Sequence, residues 1–208
     1  MNACPSRLSG LALSVVIGGG MLGGCALTTR NATLIYPPAS SEPVVPVAQA
    51  ATPPAPKQIT ISVLPFADRR ADTTKVGDVR NAVGMKLAPV RAVNSVPVWV
   101  RDALALELRN AGYNTDTSTP APDSSLAITG EVLKAQADAY LSYGAEVDLL
   151  IHLKKGGREL IGHSYAGHGS GGTNWTATAK SFAEALALAL ADALRQIVAD
   201  VDRATKSD

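Results

Sequence analysis

The sequence predicts an α+β domain: an antiparallel sheet of about four to five strands with two helices packed on one face, in the order β-β-α-β-β-β-α. Three observations predict it. Several segments alternate apolar and polar residues, the pattern of half-buried strands. Residues 97–110 and 177–201 repeat apolar residues at helical spacing. Tight glycine turns between neighbouring strands favour an antiparallel meander.

Taken in order, Ile59, Ile61 and Val63 alternate with Thr60 and Ser62 and give a strand ending at Pro65-Phe66. The polar run 67–78, with Asp68, Arg69, Arg70, Asp72 and Lys75, reads as a loop. Val83, Met85 and Leu87 alternate within a second strand over 79–87. In the first helix Val100, Ala103, Leu104, Leu108 and Ala111 share one face, and Gly112 is a stop signal. A turn cluster over 115–125 contains Pro120 and Pro122. Strands follow over 126–138, 145–153 and 159–167. Tyr143-Gly144 sits in the first turn between them and Lys155-Gly156-Gly157-Arg158 in the second. On the last strand Gly162, Ser164 and Ala166 form a small-residue face that would let a helix approach. The final helix buries a stripe of Phe182, Leu186, Ala189, Ala193, Ile197 and Val201.

This domain, over 58–208, follows two other segments. Residues 1–24 carry one charge, Arg7, then an apolar run over 8–22 and the exit Leu22-Gly23-Gly24-Cys25. A positive start, an apolar middle and small residues at the end make an export signal. The run is too short to span a membrane comfortably, which takes roughly 20 apolar residues. Its last four residues look like a lipobox, cleaved between Gly24 and Cys25. In lipoproteins with such a box the cysteine thiol takes a diacylglyceryl group and the new amino terminus is acylated, and the resemblance implies the same for Cys25. One acyl chain holds a protein only marginally, whereas several anchor it stably. Cys4 leaves with the signal, so the mature chain has no free thiol and no disulfide. In lipoproteins of this type an Asp after the cysteine tends to retain the protein in the inner membrane, so Ala26 suggests the outer membrane, facing the periplasm, if the source is Gram-negative. Residues 25–57 are dense in proline, including Pro37, Pro38, Pro43, Pro46, Pro53, Pro54 and Pro56. They read as a tether with a reach of about 30 Å if flexible and about 100 Å if extended.

The whole chain carries 19 basic and 18 acidic residues. Loss of Arg7 makes the mature chain formally neutral, which argues against an electrostatic grip on nucleic acid or acidic lipid. The aromatic content of 4% also argues against base stacking.

The lipobox and proline-rich segment precede Leu106-Glu107-Leu108-Arg109-Asn110-Ala111-Gly112-Tyr113, then Leu126-Ala127-Ile128-Thr129-Gly130-Glu131-Val132 and Val147-Asp148-Leu149-Leu150-Ile151. The last helix carries Ala183-Glu184-Ala185-Leu186 and Ile197-Val198-Ala199-Asp200. This pattern, over the lipobox and residues 59–203, resembles the YajG-type lipoproteins, small outer-membrane lipoproteins of Gram-negative bacteria. The resemblance implies a fold and a location and brings no catalytic residues. Auxiliary lipoproteins of envelope ABC transport systems are a related alternative.

Several residues invite a chemical reading. Gly167-His168-Gly169-Ser170-Gly171-Gly172 contains G-x-G-x-x-G between a strand and a helix. No strand follows the helix to complete a dinucleotide unit, so a turned or flexible connection is the better reading. His152 and His163, brought together by the glycine turn, would share a face, with His168 opposite. Two imidazoles without cysteine make a weak metal site. Glu146, Asp148 and His152 alternate along one strand as acid/base candidates, and a solvated face explains them as well. Trp175, in a Gly/Thr-rich loop, is a candidate partner contact. The expectation is a non-enzymatic envelope protein with no cofactor and no metal. It would be held on the membrane by lipid on Cys25 and bind an envelope protein or the cell wall. The alternative is a small-ligand or lipid-binding module with a groove between sheet and helices.

Overall fold

The computed structural model describes residues 28–37, 56–81, 83–117, 126–140, 142–171 and 178–207. Its elements are β1 (Arg30–Ala32), β2 (Thr60–Asp68), β3 (Lys75–Arg80), β4 (Lys86–Ala92) and α1 (Val96–Asn110), then β5 (Asn114–Asp116), β6 (Leu126–Ala139), β7 (Tyr143–Lys155), β8 (Arg158–Gly171) and α2 (Ala179–Lys206). The class is α+β, as the sequence predicts. The sheet is larger than expected and is mixed: eight strands, partly parallel, instead of about four to five antiparallel ones.

The meander β6-β7-β8 is antiparallel and forms the spine. The other edge of β6 takes two parallel partners end to end. β2 pairs along Leu126 to Val132 and β3 along Ala137 to Ala139. Beyond β2 lies β5, parallel; beyond β3 lie β4, antiparallel, and β1, parallel to β4. Tight turns dictate antiparallel pairing only where they occur. Strands separated by longer connections or by α1 return in parallel.

The expected strand over 79–87 is instead a hairpin. It turns at Gly84, whose φ of 84° suits glycine, and at Asn81, whose Oδ1 accepts from the Val83 and Met85 amides. The first arm of that hairpin, β3, lies partly in the polar run expected as a loop. Tyr143 and Gly144, expected in a turn, start β7, with Tyr143 buried edge-on against Phe182 at 5.4 Å.

Both helices pack on one face. α1 lies over β2 and β5, α2 over β7 and β8; both reach β6, and they touch each other. The expected stripe of α2 is buried throughout, joined by Leu190 and Leu194. Thr178 caps α2, its Oγ1 accepting from the Ser181 amide at 3.1 Å. At the end of α1, Gly112 has φ 90°, and the Gly112 and Tyr113 amides donate to the Arg109 and Leu108 carbonyls.

Residues 167–171 of the glycine run do not form a connection: β8 continues through Gly171. A Cβ on Gly167 would lie 2.1 Å from the Ala189 carbonyl oxygen, and one on Gly169 would lie 2.2 Å from that of Ala185. These two glycines let α2 settle against the sheet. The helix therefore covers Ile161, Tyr165 and Gly167, whereas Gly162, Ser164 and Ala166, expected beneath it, face outward. Phe66 fills a similar gap over Gly130. The outer edge of β8 is blunted from α2: Gln196 Nε2 donates to the Ala166 carbonyl and Asp192 accepts from the His168 amide.

Residues 30–36, in the proline-rich N-terminal portion, lie against the domain. Ala32 and Leu34 are buried, Asn94 bonds both backbone groups of Leu34, and Tyr36 donates its hydroxyl to Glu107 at 2.7 Å.

Candidate functional site

Because both helices occupy one side, the other face of β6-β7-β8 is left open by the described residues, and the strand period fills it with polar side chains. Register sets Lys134 opposite Asp148, Gln136 opposite Glu146, and Glu146 opposite His168. Lys134 Nζ lies 2.5 Å from Glu146 Oε2. Asp148 Oδ1 is buried with no hydrogen-bond partner among the described residues. Burial, then the neighbouring Glu146 carboxylate, pushes the Asp148 carboxyl up, against the opposite pull of Lys134 and His168. A bulge between Val132 and Lys134 turns Leu133 outward at 40% exposure.

Beside this ladder the loop after β2 is fixed by Arg70. Its guanidinium pairs with Asp68 at 2.8 and 2.9 Å and donates to the Lys75 carbonyl at 2.9 Å. Asp78 is buried at 3% exposure between Lys75, at 2.9 Å, and Lys86, at 3.2 Å. Burial alone would raise its pKa; the hydrogen bonds and charges of the two ammonium groups outweigh that and hold it below the usual carboxylate value. Here a cleft of about 240 Å³ opens between the loop and β6. A second, of about 360 Å³, runs over Asp138, Glu146 and His168. Lys134 and Gln136 line both, so the two make one trough of mixed charge. Such a surface can exchange hydrogen bonds and ion pairs with a polar partner.

Cys25, Gly24 and Trp175 lie outside the described residues. Glu146, Asp148 and His152 share the open face, as their alternation implies. His152 bonds Glu159 through Nδ1 at 2.6 Å. The expected approach of His152 to His163 does not occur. His152 sits opposite Gly162 and His163 opposite Ile151, so the two imidazoles face opposite sides of the sheet. His163 instead meets Tyr165 edge-on at 5.1 Å. Among the described residues no group of three or more His, Cys, Asp or Glu is arranged to hold a metal ion. Nor is any described helix long and apolar enough to cross a membrane. The lysines around Asp78 come from separate segments, and no local sequence signal joins them.

On the helix side an apolar groove of about 320 Å³ runs between Thr33, Ile35 and Pro37 and the Ala179, Ala183 and Ala187 ridge of α2. It lies where the N-terminal segment meets α2.

Several known proteins share features with this chain. The chain is similar to protein XCC0632 from Xanthomonas campestris, with TM-score 0.55 and 13% identity over 87% of this chain and 98% of that one. That likeness is one of fold alone. It is also similar to the hypothetical protein CT253 from Chlamydia trachomatis, at TM-score 0.48 and 12% identity over 73% of this chain and 100% of that one. Lipoprotein GNA1162 from Neisseria meningitidis matches at TM-score 0.38 and 13% identity, over 72% of this chain and 99% of that one. No curated protein matches the sequence. The model of a family described as uncharacterized lipoprotein matches residues 46–204, and on that match over most of its length the chain belongs to this family, the YajG-type lipoproteins.

Proposed function

We propose that this lipoprotein is held on the cell envelope by lipid on Cys25, at the outer membrane facing the periplasm, and acts without chemistry of its own as a binding or accessory protein. The open sheet face is its recognition surface, and the partner is an envelope protein or the cell wall. The observation that carries this reading is the ladder of Lys134, Glu146, Asp148 and His168 across three strands, where among the described residues nothing covers it and Asp148 Oδ1 has no hydrogen-bond donor. A buried unpaired polar atom is costly and would be relieved by a partner's donor. The lipobox and the family membership support the anchor.

The test is crosslinking in living cells from a photoreactive residue at position 136, compared with one at Arg195 on the outside of α2. The reading expects a discrete adduct from position 136 only. Equal yields from both positions, or adducts unaffected by Glu146→Lys, would sink it. The apolar groove supports a second reading, a small apolar ligand or lipid held against α2. Native mass spectrometry of the purified protein checks it, and Ala183→Glu is expected to remove any bound species.

A further inference from the structure

The sheet has an end that points back toward the anchor. β1 runs parallel to β4 with Arg30 opposite Val90, so β1 begins on the side of Lys86 and the β3-β4 turn. Cys25 stands five residues before Arg30, a step that spans at most about 18 Å. From Val90 back to Met85 the strand rise covers about 17 Å. The proline-rich stretch over 38–55 comes after β1. It therefore adds no distance between the lipid and the sheet.

That end is apolar. Val83 is 74% exposed, Met85 61% and Tyr140 49%. A Cβ on Gly84 would lie 3.9 Å from the Tyr140 ring, so the β3-β4 turn and the end of β6 form one tip. The tip is held in shape by Asn81, which accepts from two amides, and by Arg80, which donates to the Gly84 carbonyl at 3.2 Å. Its cations have carboxylate partners: Arg80 pairs with Asp138, and Lys86 shares Asp78 with Lys75. The other exposed large apolar side chains of the N-terminal half, Ile35, Val93 and Val98, lie beyond the far ends of β1 and β4.

We infer that this tip of Val83, Met85 and Tyr140 rests in the headgroup layer of the membrane that carries the lipid anchor, so the domain is seated on the bilayer and does not swing on a long leash. The inference rests on acylation of Cys25. A short covalent link brings the tip to the bilayer, apolar side chains gain from leaving water, and a tyrosine suits the interface. With Arg80 and Lys86 paired to carboxylates, the contact rests mainly on the apolar side chains. The seated domain would stand with its long strands rising from the surface.

The mature chain offers a direct test, because with Cys25 acylated and Cys4 removed with the signal no other thiol would remain. A fluorophore is attached through Met85→Cys, or through Lys154→Cys near the opposite hairpin, in the acylated protein purified from membranes. Each is reconstituted into phosphatidylcholine vesicles with a fraction of the lipid spin-labelled near the top of one acyl chain. The expected result is loss of fluorescence at position 85 and none at 154. The further change Val83→Asp with Tyr140→Ser should restore emission at position 85. The mass of the N-terminal peptide reports acylation separately. A chain without acyl groups overturns both the anchor and the seating. An acylated, vesicle-bound chain with no more quenching at 85 than at 154 overturns the seating alone.

Discussion

Gly167 sits where a strand and a helix touch backbone to backbone: a Cβ there would also lie 2.6 Å from the Ala193 amide nitrogen. Neither neighbour is a flexible side chain, so Gly167→Ala must push α2 off β8. The expected loss is about 2 kcal/mol. Gly144 meets nothing within 4 Å, so Gly144→Ala is expected to be neutral or about 0.5 kcal/mol stabilising through the unfolded chain. Urea unfolding of the two variants decides, and equal stabilities would contradict the close packing. Two aspartates make a second pair of opposite sign. The pKa of Asp78 is lowered in the fold. Its ion pairs therefore stabilise fully above the unfolded value, near 3.9, and this contribution fades as pH falls through the folded value. The pKa of Asp148 is raised. Ionising it therefore costs the fold nothing below about 3.9 and carries its full cost above the raised folded value. Asp78→Asn should lower the melting temperature at neutral pH and Asp148→Asn should raise it, with both differences shrinking in acid. Melting curves across pH check the two signs.

At the scale of elements, β1 is three residues long, and such a strand is held by what surrounds it. Asn94 supplies much of that, pairing with Leu34 through its amide oxygen and nitrogen at 2.8 and 3.0 Å. Asn94→Ala should leave both Leu34 backbone groups unpaired and weaken the docking of residues 30–36 by about 1–3 kcal/mol. Hydrogen exchange would then accelerate in that segment and stay unchanged in β7 and α2. Uniform acceleration would mean that Asn94 supports the whole fold and not this one docking. The same elements explain what the sequence revealed. Both helices were legible because each has a single apolar stripe, and Gly112 marks a real C-terminal turn. β7 and β8 were legible because one face is buried and Gly156-Gly157 turns them, with φ of 55° and 81°. β3 was hidden because Asp78, a loop signal by composition, is buried between Lys75 of its own strand and Lys86, which the hairpin brings across from β4. The parallel pairings were hidden because backbone groups make them and side-chain period does not encode the neighbour. In the candidate site, Glu146 and Asp148 were legible by alternation. Lys134 was not, because the β6 bulge at Leu133 switches which parity faces out. Gly167 and Gly169 looked like a loop because glycine for close packing and glycine for turning spell the same motif.

At the scale of the molecule, the cysteines and the described core occupy separate parts of the sequence. The core is carried by β6-β7-β8 and the two helices, and Phe182, Leu186, Leu190, Leu194 and Ile197 are buried completely. Lys57, which begins the domain, ties to the end of α2 through Asp202 at 2.6 Å and lies over the Tyr113 ring at 3.8 Å. None of these contacts involves a thiol, and both cysteines lie among residues 1–27. If Cys25 serves only as the lipid site, Cys25→Ala should move the protein from the membrane pellet to the soluble fraction. Its melting temperature should stay where it was, with or without a reducing agent. The neutral mature chain sharpens the expectation, since an electrostatic attachment would be screened by about 1 M salt and an acyl anchor would not. Salt washing should leave the native protein on the membrane, and detergent should release it. Release by salt, or retention of the Cys25→Ala protein, would mean that the domain holds the envelope by its own surface and that lipid is secondary. A fall in melting temperature in the variant would mean that residues near Cys25 pack on the domain and that anchor and fold are coupled.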